Sequence, residues 1–163
     1  MTRLIATFFY TGLLRPGPGT WGSLAAIPVA WLLHWLGGFP LLAAATIAVF
    51  ALGFWATRVE TAGRADSDPG EIVIDEVAGQ WIALFPLSAG LWMAGAAPHV
   101  FPWPGWVAGF VLFRILDIWK PWPVSWADGL HGPLGVMLDD VLAGLIAAVI
   151  VTLMAAAAHG WLL

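Results

Sequence analysis

The sixteen charged side chains of this 163-residue chain fall in three windows, Arg3 to Arg15, Arg58 to Glu76 and Arg114 to Asp140, and every stretch between them is uncharged. The first gap, residues 16–57, breaks at Gly37-Gly38-Phe39-Pro40 and suits two apolar spans of about 20 residues joined by a tight turn. The second gap, residues 77–113, breaks between Ala97 and Pro104 and offers two shorter spans. The last, from Val141 to Leu163, fits one terminal helix. With 61% hydrophobic and only 10% charged residues and a mean hydropathy of +0.88, the chain lies far from soluble composition. The expected fold is all-α: one integral-membrane domain over residues 1–163, polytopic, with about five transmembrane helices. The run from Leu4 to Leu14 is too short to span and is followed by no small-residue cleavage pattern, so it is read as an N-terminal interfacial or re-entrant segment.

Because each internal gap crosses the bilayer and returns, the three charged windows emerge on one side. All six Lys and Arg residues are there, and the positive-inside rule makes that side cytoplasmic. His34, His99 and His159 fall near the opposite surface, and only His131 shares the charged face. Trp103, Trp106 and Trp161 near one interface and Trp119, Trp122 and Trp126 near the other read as aromatic belts. Pro86 is expected to kink or interrupt the third span. Topology explains the bases, but the ten acids contribute little to orientation and several lie at or within span ends, where charge is costly. With no cysteine, thiolate ligands and a cysteine nucleophile are excluded. No nucleic-acid partner is expected, and the sequence sets no oligomeric state.

Four polar motifs lie on the charged face. Pro16-Gly17-Pro18-Gly19-Thr20-Trp21-Gly22-Ser23 opens the first span, where backbone N–H groups at the positive end of a helix suit an anion, or where Thr20 or Ser23 serves as an N-cap. In Asp68 to Gln80, the adjacent carboxylates of Asp75 and Glu76 enter an apolar span and call for a cation or polar cavity; Gln80 is one turn from Glu76, and Gly79 permits close helix approach. Arg114, Asp117 and Lys120 recur every three residues and share a helix face until Pro121, forming an ion-pair ladder or a phosphate clamp. Gly132 to Gly144 brings a second acidic pair, Asp139 and Asp140, at a helix start. Two acidic pairs delivered by different helices to one membrane level supply hard oxygen ligands for Mg²⁺ beside a phosphate.

These motifs, GTWGSLAAIP, IVIDEVAGQWIAL, FRILDIWKPWPV and GVMLDDVLAG in this order, resemble the phosphatidylglycerophosphatase A family over about Gly12 to Gly144. The resemblance implies Mg²⁺-dependent hydrolysis of phosphatidylglycerophosphate to phosphatidylglycerol and phosphate at the cytoplasmic leaflet of a bacterial inner membrane. It maps the family's DE pair onto Asp75 and Glu76, its DIxKPxP Asp and Lys onto Asp117 and Lys120, its loop acid onto Asp128, and its DD pair onto Asp139 and Asp140. One departure is Gly132-Pro133 where the family carries Gly-Gly.

On this reading Asp75, Glu76, Asp139 and Asp140 are the metal ligands. Asp117, Lys120 and Asp128 are catalytic, and Thr20, Ser23, Arg114 and Lys120 bind the phospholipid substrate. Water and an aspartyl carboxylate are both open as nucleophile. A phosphotransferase of activated lipids is a competing class, but Asp128-Gly129 lacks the Arg of its Asp-Gly-Ala-Arg pattern. An ion-coupled transporter is another, and its polar groups belong nearer the midplane than these.

Overall fold

The computed structural model describes residues 1–64, 66 and 69–160, so Asp68 and Trp161 lie outside the described residues. Every regular element among them is helical: α1 (Thr2–Ala6), a 3₁₀ turn (Thr11–Leu13), α2 (Pro18–Glu60), α3 (Ile74–Ala83), α4 (Phe85–Met93), α5 (Trp103–Trp119), α6 (Val124–Asp128) and α7 (Pro133–Ala158).

The 43 residues of α2 are two limbs meeting at Gly37 (φ −154°, ψ 17°) and Gly38 (φ 64°, ψ −160°). The second conformation is open essentially to glycine alone, and Pro40 then opens the returning limb, where a missing N–H costs nothing. The limbs fold back on each other: a methyl on Gly22 would lie 2.8 Å from the Val73 Cβ, and one on Gly53 would lie 3.1 Å from Ile74. A site in the first limb and one in the second therefore sit at a single level, as a hairpin requires.

The third span is interrupted where Pro86 sits. α3 ends at Ala83, α4 begins at Phe85, and Pro86 has no N–H to continue the ladder. α5 returns antiparallel to this broken rod, with Gly105 against Leu87, Gly109 against Leu84 and Phe113 against Gly79. α7 then packs along α3 and α5.

Among the described residues only α2 and α7 are individually long and apolar enough to cross a membrane, so the expected five separate spanning helices are not what the structure presents by length and composition. The difference has two physical sources. Gly37 and Gly38 bend the first two spans without separating them into distinct elements, and Pro86 divides the third into pieces of 10 and 9 residues, while α5 has 17.

Large apolar side chains face outward over much of the surface, and several polar ones are buried. Ile47 is 73% and Val149 60% exposed, whereas Gln80 is 0% and Asp140 2% exposed. Apolar side chains facing outward, with the few polar groups of the interior kept from that surface, suit a hydrocarbon surrounding. Helix contact accordingly relies on small residues and on bonds such as the Trp81 indole N–H donating to the Ala26 carbonyl at 2.9 Å.

The three charged windows meet at one end. Thr2 Oγ1 donates to Glu60 at 2.6 Å, the Val73 N–H donates to the Ala6 carbonyl at 2.8 Å, and Arg114 reaches Glu76 at 3.9 Å. The segment before α2 thus folds under the charged end, with Ala6 and Thr7 buried. At the other end His34 pairs with Ser88 at 2.8 Å, and the Trp31 indole donates to the His99 carbonyl. Trp92 and Trp103 are exposed there, and Trp119, Trp122 and Trp126 are exposed at the charged end.

Candidate active site at the charged end of the bundle

The site begins with a close approach between α3 and α7. A methyl on Gly79 would lie 2.5 Å from the Asp140 carbonyl oxygen and from the Phe113 ring, and one on Gly144 would strike the Gly79 carbonyl. Two helices meet backbone to backbone because neither has a side chain there.

That approach gathers Asp75 and Glu76, in the first turn of α3, with Asp140 in the second turn of α7; one carboxylate oxygen from each lies within 4.8 Å of the other two. Asp75 and Asp140 are buried and Glu76 nearly so. Asp117 adds a fourth carboxyl within hydrogen-bonding reach of Asp140. Opposing them is one guanidinium: Arg114 pairs with Asp117, lies 3.9 Å from Glu76 and donates to Ser23 Oγ at 3.4 Å. Gly19, in the first turn of α2, lies against the Glu76 carboxylate, which therefore faces the positive end of that helix.

Four carboxyl groups against one arginine leave negative charge that a low-dielectric interior tolerates only when protonation or a cation offsets it. A divalent cation fits. The donor set is entirely carboxylate oxygen, the hard chemistry Mg²⁺ prefers, and Glu76 Oε2 is buried without a hydrogen-bond partner.

Asp139 does not join this cluster. Adjacent residues on a helix point about 100° apart, and Asp139 Oδ2 accepts from Lys120 at 2.8 Å while its Oδ1 accepts the Asp140 N–H. The same lysine pairs with Asp128, whose side chain is 46% exposed. Lys120 has left the face it was expected to share with Arg114 and Asp117. It stands at the C-cap of α5 in a left-handed conformation (φ 48°, ψ 55°), a common way for a helix to end, and Pro121 cannot continue the helix. Burial works against its charge, but the carboxylates of Asp128 and Asp139 outweigh that and hold its ammonium above the ordinary lysine range.

Neither Thr20 nor Ser23 caps α2. Gly17 occupies the cap position with no side-chain cap bond, and Ser23 Oγ instead donates to the Gly19 carbonyl at 2.8 Å and accepts from Arg114. Thr20 lies beside Arg114 at the bundle surface. The Asp139-Asp140 pair also sits deeper than a helix start, since α7 opens at Pro133 with no acid in its first turn. Gly132 precedes it at φ 95°, a value that requires glycine, and Pro133 takes the first helical position, so the departure from Gly-Gly is locally well accommodated. His131 is exposed.

Gln80 was not among the expected site residues. Its amide is fully buried one turn below Glu76, and neither polar atom has a partner in the structure. An amide in an apolar span one turn after a carboxylate was the available signal.

The sequence profile described as Phosphatidylglycerophosphatase A matches residues 4–155. A relative from Escherichia coli (strain K12) named Phosphatidylglycerophosphatase A is 40% identical over 147 residues, covering 89% of this chain and 78% of that protein. A Haemophilus influenzae protein of the same name is 38% identical over 149 residues, covering 91% and 85%. A Bacteroides thetaiotaomicron relative, provisionally named a phosphatidylinositol-3-phosphatase, is 36% identical over 154 residues, covering 91% and 89%. No solved structure matches the chain. A profile match over nearly the whole chain, with relatives at these identities, assigns this protein to the phosphatidylglycerophosphatase A family.

Proposed function

We propose that this protein is a Mg²⁺-dependent lipid phosphatase that hydrolyses phosphatidylglycerophosphate to phosphatidylglycerol and phosphate at the cytoplasmic leaflet of a bacterial inner membrane. The observation that carries the reading is the convergence of Asp75, Glu76 and Asp140 from two helices, with Arg114 beside them.

In this scheme Asp75, Glu76 and Asp140 hold the metal, with Asp139 as a positioning residue through Lys120 in place of a direct ligand. When bound, Mg²⁺ neutralises phosphate charge and lowers the pKa of coordinated water. Arg114 and Lys120 bind the phosphate oxygens, the first as a planar fork and the second as a point charge. Asp117, between Arg114 and Asp140, orients the attacking water and accepts its proton as the phosphorus–oxygen bond to the glycerol breaks. The departing alkoxide takes the proton that Asp117 has accepted and leaves as the phosphatidylglycerol hydroxyl. Asp128 steadies Lys120, and Thr20 and Ser23 bind the polar head group beside Arg114.

Five membrane crossings are supported by the packing: the two limbs of α2, the broken rod of α3 and α4, α5 and α7 run alternately from one end of the bundle to the other. The 17 residues of α5 rise about 25 Å, close to the ~30 Å of hydrocarbon. The exposed tryptophans at both ends suit the two interfaces, and the gathering of all the bases at one end favours a cytoplasmic site.

The relatives' names agree on a phosphomonoester carried by a phospholipid and differ in the head group. Phosphate release from phosphatidylglycerophosphate, phosphatidylinositol-3-phosphate and phosphatidic acid, measured side by side with purified protein in detergent micelles, tests the assignment. A kcat/KM for phosphatidylglycerophosphate at least about tenfold above the others is expected, equivalent to ~1.4 kcal/mol of transition-state discrimination. Preference for the inositol lipid would replace the substrate, and no release from any would overturn the function.

A further inference from the structure

Two grooves of similar size open on the lateral, lipid-facing surface. One, of about 370 Å³, lies between the second limb of α2, α3, α4 and α7 and is lined by residues such as Ile47, Phe50, Ile82 and Leu145; its one hydroxyl, on Thr46, is already donated to the Leu42 carbonyl. The other, of about 430 Å³, lies between the first turn of α2 and α5 and is lined by Phe110, Val111, Ile115 and Trp119 together with Thr20 and Arg114. Volume does not distinguish them. The presence of a cation does, and that cation is the arginine that also touches Glu76, Asp117 and Ser23.

Resting on the phosphatase reading, we propose that the groove along α5 is the binding site for an acyl chain of the phospholipid substrate, with Arg114 at the junction between the chain and the phosphate-bearing head. A lipid whose phosphate reaches the acid cluster has to lead its chains out sideways. Below the cluster the bundle is closed by Phe113, Leu84 and the Gly79–Gly144 contact, so the interior holds no chain. The groove supplies the lateral route. From Phe110 to Trp119 it follows α5 for about 14 Å, apolar along its length and exposed to the membrane at Val111 (44%) and Ile115 (50%). Charge complementarity selects the occupant: Arg114 lines this groove and sets a positive charge at its head-group end, which favours an anionic phospholipid, whereas no charged residue lines the other groove.

The test uses the full chain in lipid nanodiscs with phosphatidylglycerophosphate carrying a diazirine in one acyl chain, and mass spectrometry of the photo-adducts. Adducts are expected to concentrate on residues 110–119 and to be displaced by excess unlabelled lipid. They are expected to fall several-fold in Val111→Trp and in Ile115→Trp, which fill the groove from its membrane side, and to persist in Ile47→Trp, which fills the other. In detergent, Val111→Trp is expected to raise KM for the long-chain substrate about tenfold with kcat held, and to leave hydrolysis of the deacylated head-group phosphate unchanged. Adducts spread equally over both grooves, or a Val111→Trp effect of equal size on the deacylated compound, overturn the proposal. Cross-linking needs no turnover, so adducts here without phosphate release refute the phosphatase reading while supporting the groove, and release without adducts here refutes the groove alone.

Discussion

Gly79 and Gly144 put the backbones of α3 and α7 in direct contact, and the three-carboxylate cluster exists because of that contact. A methyl group on Gly144 would occupy the space of the Gly79 carbonyl, so α7 could accommodate it only by shifting as a helix, carrying Asp140 away from Asp75 and Glu76. Gly144→Ala is expected to lower stability by about 1–3 kcal/mol, the usual range for overpacking, and to reduce phosphate release more than tenfold. A thermal melt in detergent beside an activity assay checks both, and unchanged values would show that the helices tolerate wider separation.

The two adjacent acids of α7 are expected to differ. Asp75→Asn, Glu76→Gln and Asp140→Asn each remove a proposed metal ligand and should cost more than about 100-fold in activity, beyond the effect typical of supporting residues. Asp139→Asn disturbs only the partner of Lys120 and should cost about 10- to 100-fold. Mg²⁺-dependent stabilisation separates the roles: at a hundredfold excess over Kd the wild type and Asp139→Asn should gain about 2.7 kcal/mol, and the three ligand variants should gain far less. An Asp139→Asn protein that no longer responds to Mg²⁺ would return Asp139 to the ligand set.

Lys120 holds its proton more tightly in the folded chain than in the unfolded one, where the ordinary value is about 10.4. Its contribution to stability is therefore complete below about pH 10 and is lost as the pH climbs through the higher folded value. The stability difference between wild type and Lys120→Met should stay constant between about pH 7 and pH 9 and shrink only above about pH 10, as read from unfolding midpoints across that range. Shrinkage already near neutrality would mean that Asp128 and Asp139 do not hold the ammonium.

Gly38→Ala should destabilise without touching the chemistry. The residue has φ 64° and ψ −160°, and the Trp92 ring lies where a methyl would go, so a cost of about 1–3 kcal/mol is expected from backbone strain, more if Trp92 cannot shift. The residual folded enzyme should keep its KM. A melting temperature equal to wild type would mean that the hairpin does not depend on this bend.

The helical hairpins were legible because each rests on a local signal. Gly37-Gly38 is a conformational break, Pro86 removes a donor, and the uncharged gaps are long enough to go out and back. The gathering of the three charged windows followed from the same counting. What was not legible depends on rotation about helix axes and on single backbone angles. Asp139 and Asp140 are equivalent as letters, and only the phase of α7 against α3 decides which one faces Asp75. Lys120 continues the three-residue spacing of Arg114 and Asp117, yet one left-handed residue before Pro121 turns it to a different set of partners. Ser23 looked like a cap, but α2 begins earlier, at Pro18, and its hydroxyl serves Arg114 and the Gly19 carbonyl. In the second gap the helices proved shorter than the spans expected there, since a gap counts residues and not continuous hydrogen bonding.

Phosphate release from long-chain phosphatidylglycerophosphate, followed first with chelator and then with Mg²⁺ restored, in wild type and in Asp140→Asn, probes the shared-cation cluster most directly. The account predicts no release under chelation, recovery on adding Mg²⁺, and no recovery in Asp140→Asn although that protein folds. Release that persists in chelator, or an Asp140→Asn enzyme as active as wild type, would contradict it.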